Sequence, residues 1–252
     1  MDAAVLQELT GLSANYVWAS FLVFLRIGTA MSLLPLFGER VIPQRVRLVI
    51  ALCFTVIVAP MAVAENLSGK VEIWAAFAEV VAGLFLGLAL RLFVVALQTA
   101  GSIIAQSTSL SQLFAGVGPE PQPAIGNLLM VTGFSVAVAN GLAIKTVTFF
   151  VMSYQMLPAG SLPQATDMTQ WGVGLVASGF LLAVKLSAPF AIAALLYNIL
   201  LGVINRTMPS LMVTFIGAPA LAGGGLALLL ICAPLLISIW QQEYFKFLET
   251  AK

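Results

Sequence analysis

Histidine is absent from all 252 residues, and charge is scarce, with 11 Lys and Arg against 10 Asp and Glu. The missing imidazole removes the commonest proton shuttle and metal ligand, which weighs against an enzyme before any motif is considered. Cysteine is nearly absent too: Cys53 and Cys232 lie far apart within apolar runs and read as small buried hydrophobes, not as a disulfide. Charged residues make up 8% of the chain, whereas soluble domains carry about a quarter. Hydrophobic residues make up 61%, and the mean hydropathy is +1.06. Too few polar side chains exist to coat a soluble core, so the chain reads as an all-α, multi-helix membrane protein. A net charge of +1 argues against nucleic acid or an anionic lipid surface as the main partner. The start, Met1 to Thr10, holds Asp2 and Glu8 but no Lys or Arg, so it lacks the basic n-region and small-residue cleavage site of a secretory signal and is expected in the mature protein.

Chemical motifs are missing as well. There is no phosphate loop, no metal-spaced cluster, and no Ser or Cys nucleophile with a base at hand. Catalytic, metal and cofactor-binding residues are therefore expected to be none. Gly172-Val-Gly174 matches a dinucleotide fingerprint by letters alone, inside an apolar helix with no preceding strand.

What is present is hydrocarbon. Apolar runs fall at about Tyr16–Phe37, Val46–Ala64, Val71–Ala105, Ile125–Leu157, Trp171–Ile204 and Ser210–Trp240. A span needs about 20 residues for a 30 Å core, yet three of these runs hold 33 to 35 residues, roughly 50 Å of helix. They must tilt and protrude, or break. Pro189 in the fifth run and Pro219, Gly223–Gly225 and Pro234 in the sixth mark the expected breaks. Arg40, Arg45 and Arg47 flank the first connection, which favours an outside amino terminus and an inside first connection.

Apart from Arg47 and Glu72 at the ends of their runs, five charged residues sit inside them: Arg26, Arg91, Lys145 and Lys185 against Glu79 alone. Each costs about 2.5–3.5 kcal/mol near a helix centre, while a neighbouring Leu or Val returns only about 0.3–0.6 kcal/mol. One carboxylate does not neutralise four cations, so the excess is expected to meet water or carboxylates of other chains. Lys145 and Lys185 read as buried proton-accepting amines, or as snorkelling or partner-bound groups.

Glu79, Gly83 and Gly87 recur every fourth residue, a spacing that lets helix backbones approach closely. Arg91 lies twelve residues beyond Glu79, about 18 Å along the axis and about 120° around it. It is out of reach, which leaves Arg26 or a basic group on another subunit as the mate. Arg40-x-x-Pro43 and Arg206-x-x-Pro209 mark two tight hairpins with basic tips, an Arg at one helix end and a Pro in the next first turn. Gln98, Ser102, Gln106, Ser109 and Gln112 form a polar stripe on one helical face. It reads as hydrogen bonding to neighbouring helices or as the lining of a wet passage. A stiff loop follows, Leu113-Phe114-Ala115-Gly116-Val117 and then alternate prolines from Pro119 to Pro123, with an apolar tip suited to a plug.

Order and spacing of these residues resemble the FliR family of type III secretion export-gate subunits, flagellar and injectisome alike. The likeness covers nearly the whole chain. It rests on Arg26, Pro35, Pro43 and Arg47; Glu79-x3-Gly83-x3-Gly87; Ala100-Gly101 with Gln106; Asn140-Gly141; Leu157-Pro158; and Pro189. Its most specific stretch is Leu201-Gly202-Val203-Ile204-Asn205-Arg206-x-x-Pro209 with Gly217-x-Pro219. The chain departs from the family at Gly118-Pro119, where Asp-Pro is usual, and at Ser210-Leu211, where Gln and Asn are.

The resemblance implies an export-gate fold of bent helical hairpins, a FliP-like part over about 1–200 and a FliQ-like hairpin over about 201–252. It implies one copy joined to FliP and FliQ at the bacterial inner membrane, in the flagellar basal body. The gate would work with FlhA and FlhB and pass unfolded flagellar proteins. Gln106–Pro123 corresponds to the family's channel-closing loop. Pore and plug residues are then Gln98, Ser102, Gln106, Ser109, Gln112, Leu113, Phe114 and Val117. Assembly residues are Arg26, Glu79, Gly83, Gly87, Arg206 and Pro209. A small-molecule or ion carrier using Lys145 or Lys185 at a midplane site is the rival from another class.

Overall fold

The computed structural model describes residues 3–34, 43–66, 73–108, 124–162, 164–207 and 213–250, with the side chains of 3–15, 63–66, 213–216 and 218 left aside. These residues form seven α-helices and no strand: α1 (Ala3–Leu33), α2 (Gln44–Asn66), α3 (Ile73–Ser107), α4 (Ala124–Ala139), α5 (Leu142–Met156), α6 (Ala165–Thr207) and α7 (Val213–Thr250). Five of them are long and apolar enough to cross a membrane, and α4 and α5 taken together pass the same test.

The chain divides into two units. The first comprises Met1–Leu92, Gly141–Leu175 and Phe245–Lys252. Here α1 buries Ala19, Leu22, Val23, Arg26, Ile27 and Ala30, alternating steps of three and one that define one helical face. That face is where α3 approaches. A Cβ on Gly83 would stand 2.3 Å from the Arg26 carbonyl oxygen, and one on Gly87 would stand 2.7 Å from that of Ala30. The expected small-residue seam is thus a backbone contact between α1 and α3. Helix α2 packs on α1 and reaches α5.

The second unit comprises Phe93–Asn140 and Val176–Tyr244. Its α4 buries Ile125, Gly126, Leu129, Met130, Gly133 and Phe134. A Cβ on Gly101 would lie 2.3 Å from the Gly126 Cα, so α3 and α4 touch through main chain here too. Trp240 is fully buried, stacks on Tyr244 at 5.3 Å, meets Phe134 edge-on at 5.6 Å and donates its indole N–H to the Phe93 carbonyl at 2.8 Å.

The prolines do not break the helices as the sequence suggests. Helix α6 runs 43 residues through Pro189, and α7 runs 38 residues through Pro219 and Pro234. Each proline deletes one ladder hydrogen bond, and the flanking turns stay helical. The fourth run is the one that parts, at Asn140–Gly141, where Gly141 takes φ +84°, a left-handed value that glycine adopts without steric cost. Cys53 and Cys232 are free thiols, and Cys53 is exposed instead of buried.

Candidate functional site

The first unit holds a charged centre in an otherwise apolar interior. Arg26 and Glu79 are each fully buried. The Arg26 Nε donates to Glu79 Oε2 at 2.6 Å, and Nη2 donates to Oε1 at 3.1 Å, the paired fork geometry in which arginine binds carboxylates most strongly. Nη2 also donates to the Leu157 carbonyl at 2.9 Å, and Nη1 to Ser153 Oγ at 3.4 Å. The guanidinium carbon lies 3.8 Å from the Tyr154 ring centroid, a cation–π contact. Glu79 Oε1 accepts a further bond from the Gly160 N–H at 2.9 Å.

Four segments therefore meet on one ion pair: α1, α3, the end of α5 and the connection into α6. Gly160 sits at φ +72°, and a Cβ there would come within 3.1 Å of Ala75, so the connection lies close against α3. Beside it is a mainly apolar cavity of about 380 Å³, with Phe85, Phe149, Leu157, Leu162, Met168 and Trp171 on its walls. Ser161, also on the wall, donates its hydroxyl to the Pro158 carbonyl.

The other cations divide. Lys145 pairs with Glu249 and lies 4.7 Å over the Phe245 ring. The expectation that Lys145 reads as a proton-accepting, snorkelling or partner-bound amine overlooked this mate, because Glu249 lies past the last apolar run. Arg91 and Lys185 are exposed, and neither side chain makes an ion pair or hydrogen bond among the described residues. Arg206 is exposed in the last turn of α6. It adds a cation near the negative end of that helix.

Of the polar stripe, Gln98 donates to the Met130 sulfur of α4 at 3.3 Å and Ser102 to the Gln98 carbonyl at 3.0 Å, both half-buried. Gln106 is exposed. Ser109, Gln112, Leu113, Phe114, Val117 and Pro209 lie outside the described residues. Among those described, no three His, Cys, Asp or Glu side chains gather to hold a metal ion. The arrangement can bury charge, fix helix registers and present apolar faces.

Ser153, Tyr154, Leu157 and Gly160 were not singled out from sequence as contacts of Arg26 and Glu79. Leu157-Pro158 does belong to the pattern shared with the FliR family, and it was the available signal.

Comparison with known proteins accords with this architecture. The family described as bacterial export proteins, family 1, matches residues 17–247. The flagellar biosynthetic protein FliR of Caulobacter vibrioides is 31% identical over 247 residues, which cover 94% of this chain and 97% of that protein. FliR of Aquifex aeolicus is 28% identical, with 94% and 95% covered, and FliR of Escherichia coli is 27% identical, with 88% and 85% covered. An all-helical membrane chain matched over nearly its full length in this way belongs to bacterial export protein family 1, alongside these FliR proteins.

Proposed function

We propose that the chain is a non-enzymatic subunit of the flagellar type III protein export gate in the bacterial inner membrane, at the flagellar basal body. It joins FliP and FliQ in a channel that passes unfolded flagellar proteins, and it works with FlhA and FlhB. The observation that carries this reading is the end-to-end likeness to a protein named as a flagellar biosynthetic component, covering 97% of that relative. Physical support comes from α6, whose 43 residues make about 64 Å of helix, against a hydrocarbon core of about 30 Å. Val173, Phe180, Ile192, Leu195 and Leu196 stand exposed along it, an apolar surface suited to neighbouring helices beyond the lipid.

Of the two amines open to the carrier reading, Lys145 is engaged by Glu249, and Lys185 is exposed on the helix surface. Affinity purification of the tagged chain from membranes, followed by intact-complex mass measurement, tests the proposal. The expected result is a hetero-oligomer containing FliP and FliQ, with motility lost on gene deletion. Recovery of the chain by itself, moving a small solute in liposomes, would overturn it in favour of the carrier.

A further inference from the structure

Arg91 sits near the middle of the 35-residue α3 and is exposed. The residues one turn to either side on its face are Leu88 and Val95, 52% and 43% exposed, with Leu84 a turn further at 39%. Arg91 thus places a cationic side chain on an otherwise apolar stretch of helix surface. Away from the ends of its apolar runs the chain has one carboxylate, Glu79, and Arg26 holds both of its oxygens. Glu249 is engaged by Lys145. Inside its apolar runs a second copy of this chain would bring the same engaged Glu79.

We infer that the Arg91 face of α3 is a docking surface for a membrane-embedded helix of a different polypeptide, and that this helix carries an Asp or Glu which pairs with Arg91. The inference deepens the proposed gate function and rests on its claim that the chain works among other subunits. Leu84, Leu88 and Val95 supply the apolar flanks of the contact, and the planar guanidinium supplies a two-pronged donor for the carboxylate.

The test uses Arg91→Lys in native membranes treated with a membrane-permeant carbodiimide. The reagent activates a carboxylate as an O-acylisourea. The unprotonated amine that the substitution introduces attacks its carbonyl carbon, an amide bond forms, the acyl C–O bond breaks and a urea leaves. Wild-type Arg91 does not react, which provides the control. The expected result is a mass-identified adduct joining position 91 to an Asp or Glu in an apolar segment of another polypeptide.

In parallel, a photo-reactive phenylalanine analogue at position 88, with Arg91 intact, should capture that same segment. Arg91→Leu should reduce recovery of the complex at least tenfold. If the wild-type complex forms while both probes capture only lipid, a second copy of this chain, or nothing, the inference is overturned and the gate proposal stands. If the wild-type chain purifies without other subunits, the gate proposal fails first and the inference with it.

Discussion

Removing Glu79 would leave the Arg26 guanidinium buried beside Ser153, Tyr154 and Leu157 with no counter-charge. Breaking a buried pair from one side costs about 3–5 kcal/mol, whereas replacing both ions by apolar groups of similar volume is often close to neutral. Glu79→Ala should therefore sharply lower the thermal stability of the detergent-purified protein. The double variant Arg26→Met with Glu79→Leu should recover most of the loss, with a remainder from the orphaned Gly160 N–H. Equal destabilisation by the single and double variants in thermal unfolding would show that the pair acts through shape and not charge. Part of this centre was legible beforehand: a lone carboxylate among apolar residues needs a cation, and Arg26 was a candidate. Its remaining contacts were not, because main-chain groups such as Leu157 O and Gly160 N–H leave no mark in residue type. Lys145 and Glu249 escaped for a different reason, a mate more than a hundred residues away on the last helix.

Helix registers are set where glycine lets main chain meet main chain. At Gly83 even a methyl group would fall 2.3 Å from the Arg26 carbonyl, whereas at Gly172 nothing lies within 4 Å of the added carbon. Gly83→Ala should destabilise the protein by about 1–3 kcal/mol or more, the range for forced overpacking, and displace α1 from its seat against Glu79. Gly172→Ala should do the opposite by up to about 1 kcal/mol, since alanine favours helix and no neighbour objects. Thermal unfolding of the two variants side by side checks both signs, and a matched shift in one direction would contradict the seam. The spacing of Glu79, Gly83 and Gly87 made this seam readable, since four-residue periodicity survives in sequence. The breaks were misread because proline and glycine act differently. Pro189 deletes one bond in a helix whose other turns hold, whereas Gly141 adopts a left-handed φ of +84° that ends the helical path.

At the scale of the molecule, the polar face of α3 leads toward the stiffest sequence in the chain. Gln98 and Ser102 are half-buried and Gln106 is exposed, and beyond them come Leu113–Val117 and the alternate prolines Pro119, Pro121 and Pro123. Proline fixes its own φ and restricts the residue before it, so such a segment loses little entropy when held in one place. An apolar tip on a stiff stem would suit a plug that keeps water and ions out of a passage lined by uncharged polar groups and yields to an entering polypeptide, since Leu113–Val117 carries no charge. If the chain contributes to a protein-conducting gate, deleting Leu113–Val117 should leave assembly with its neighbours intact while raising the resting conductance of the membrane to small ions. Planar-bilayer or cell-permeability measurements on the assembled complex would detect the leak. A deletion complex of full composition with unchanged conductance would remove Leu113–Val117 from any closing role and leave the polar stripe to helix packing, the use Gln98 makes of it against Met130.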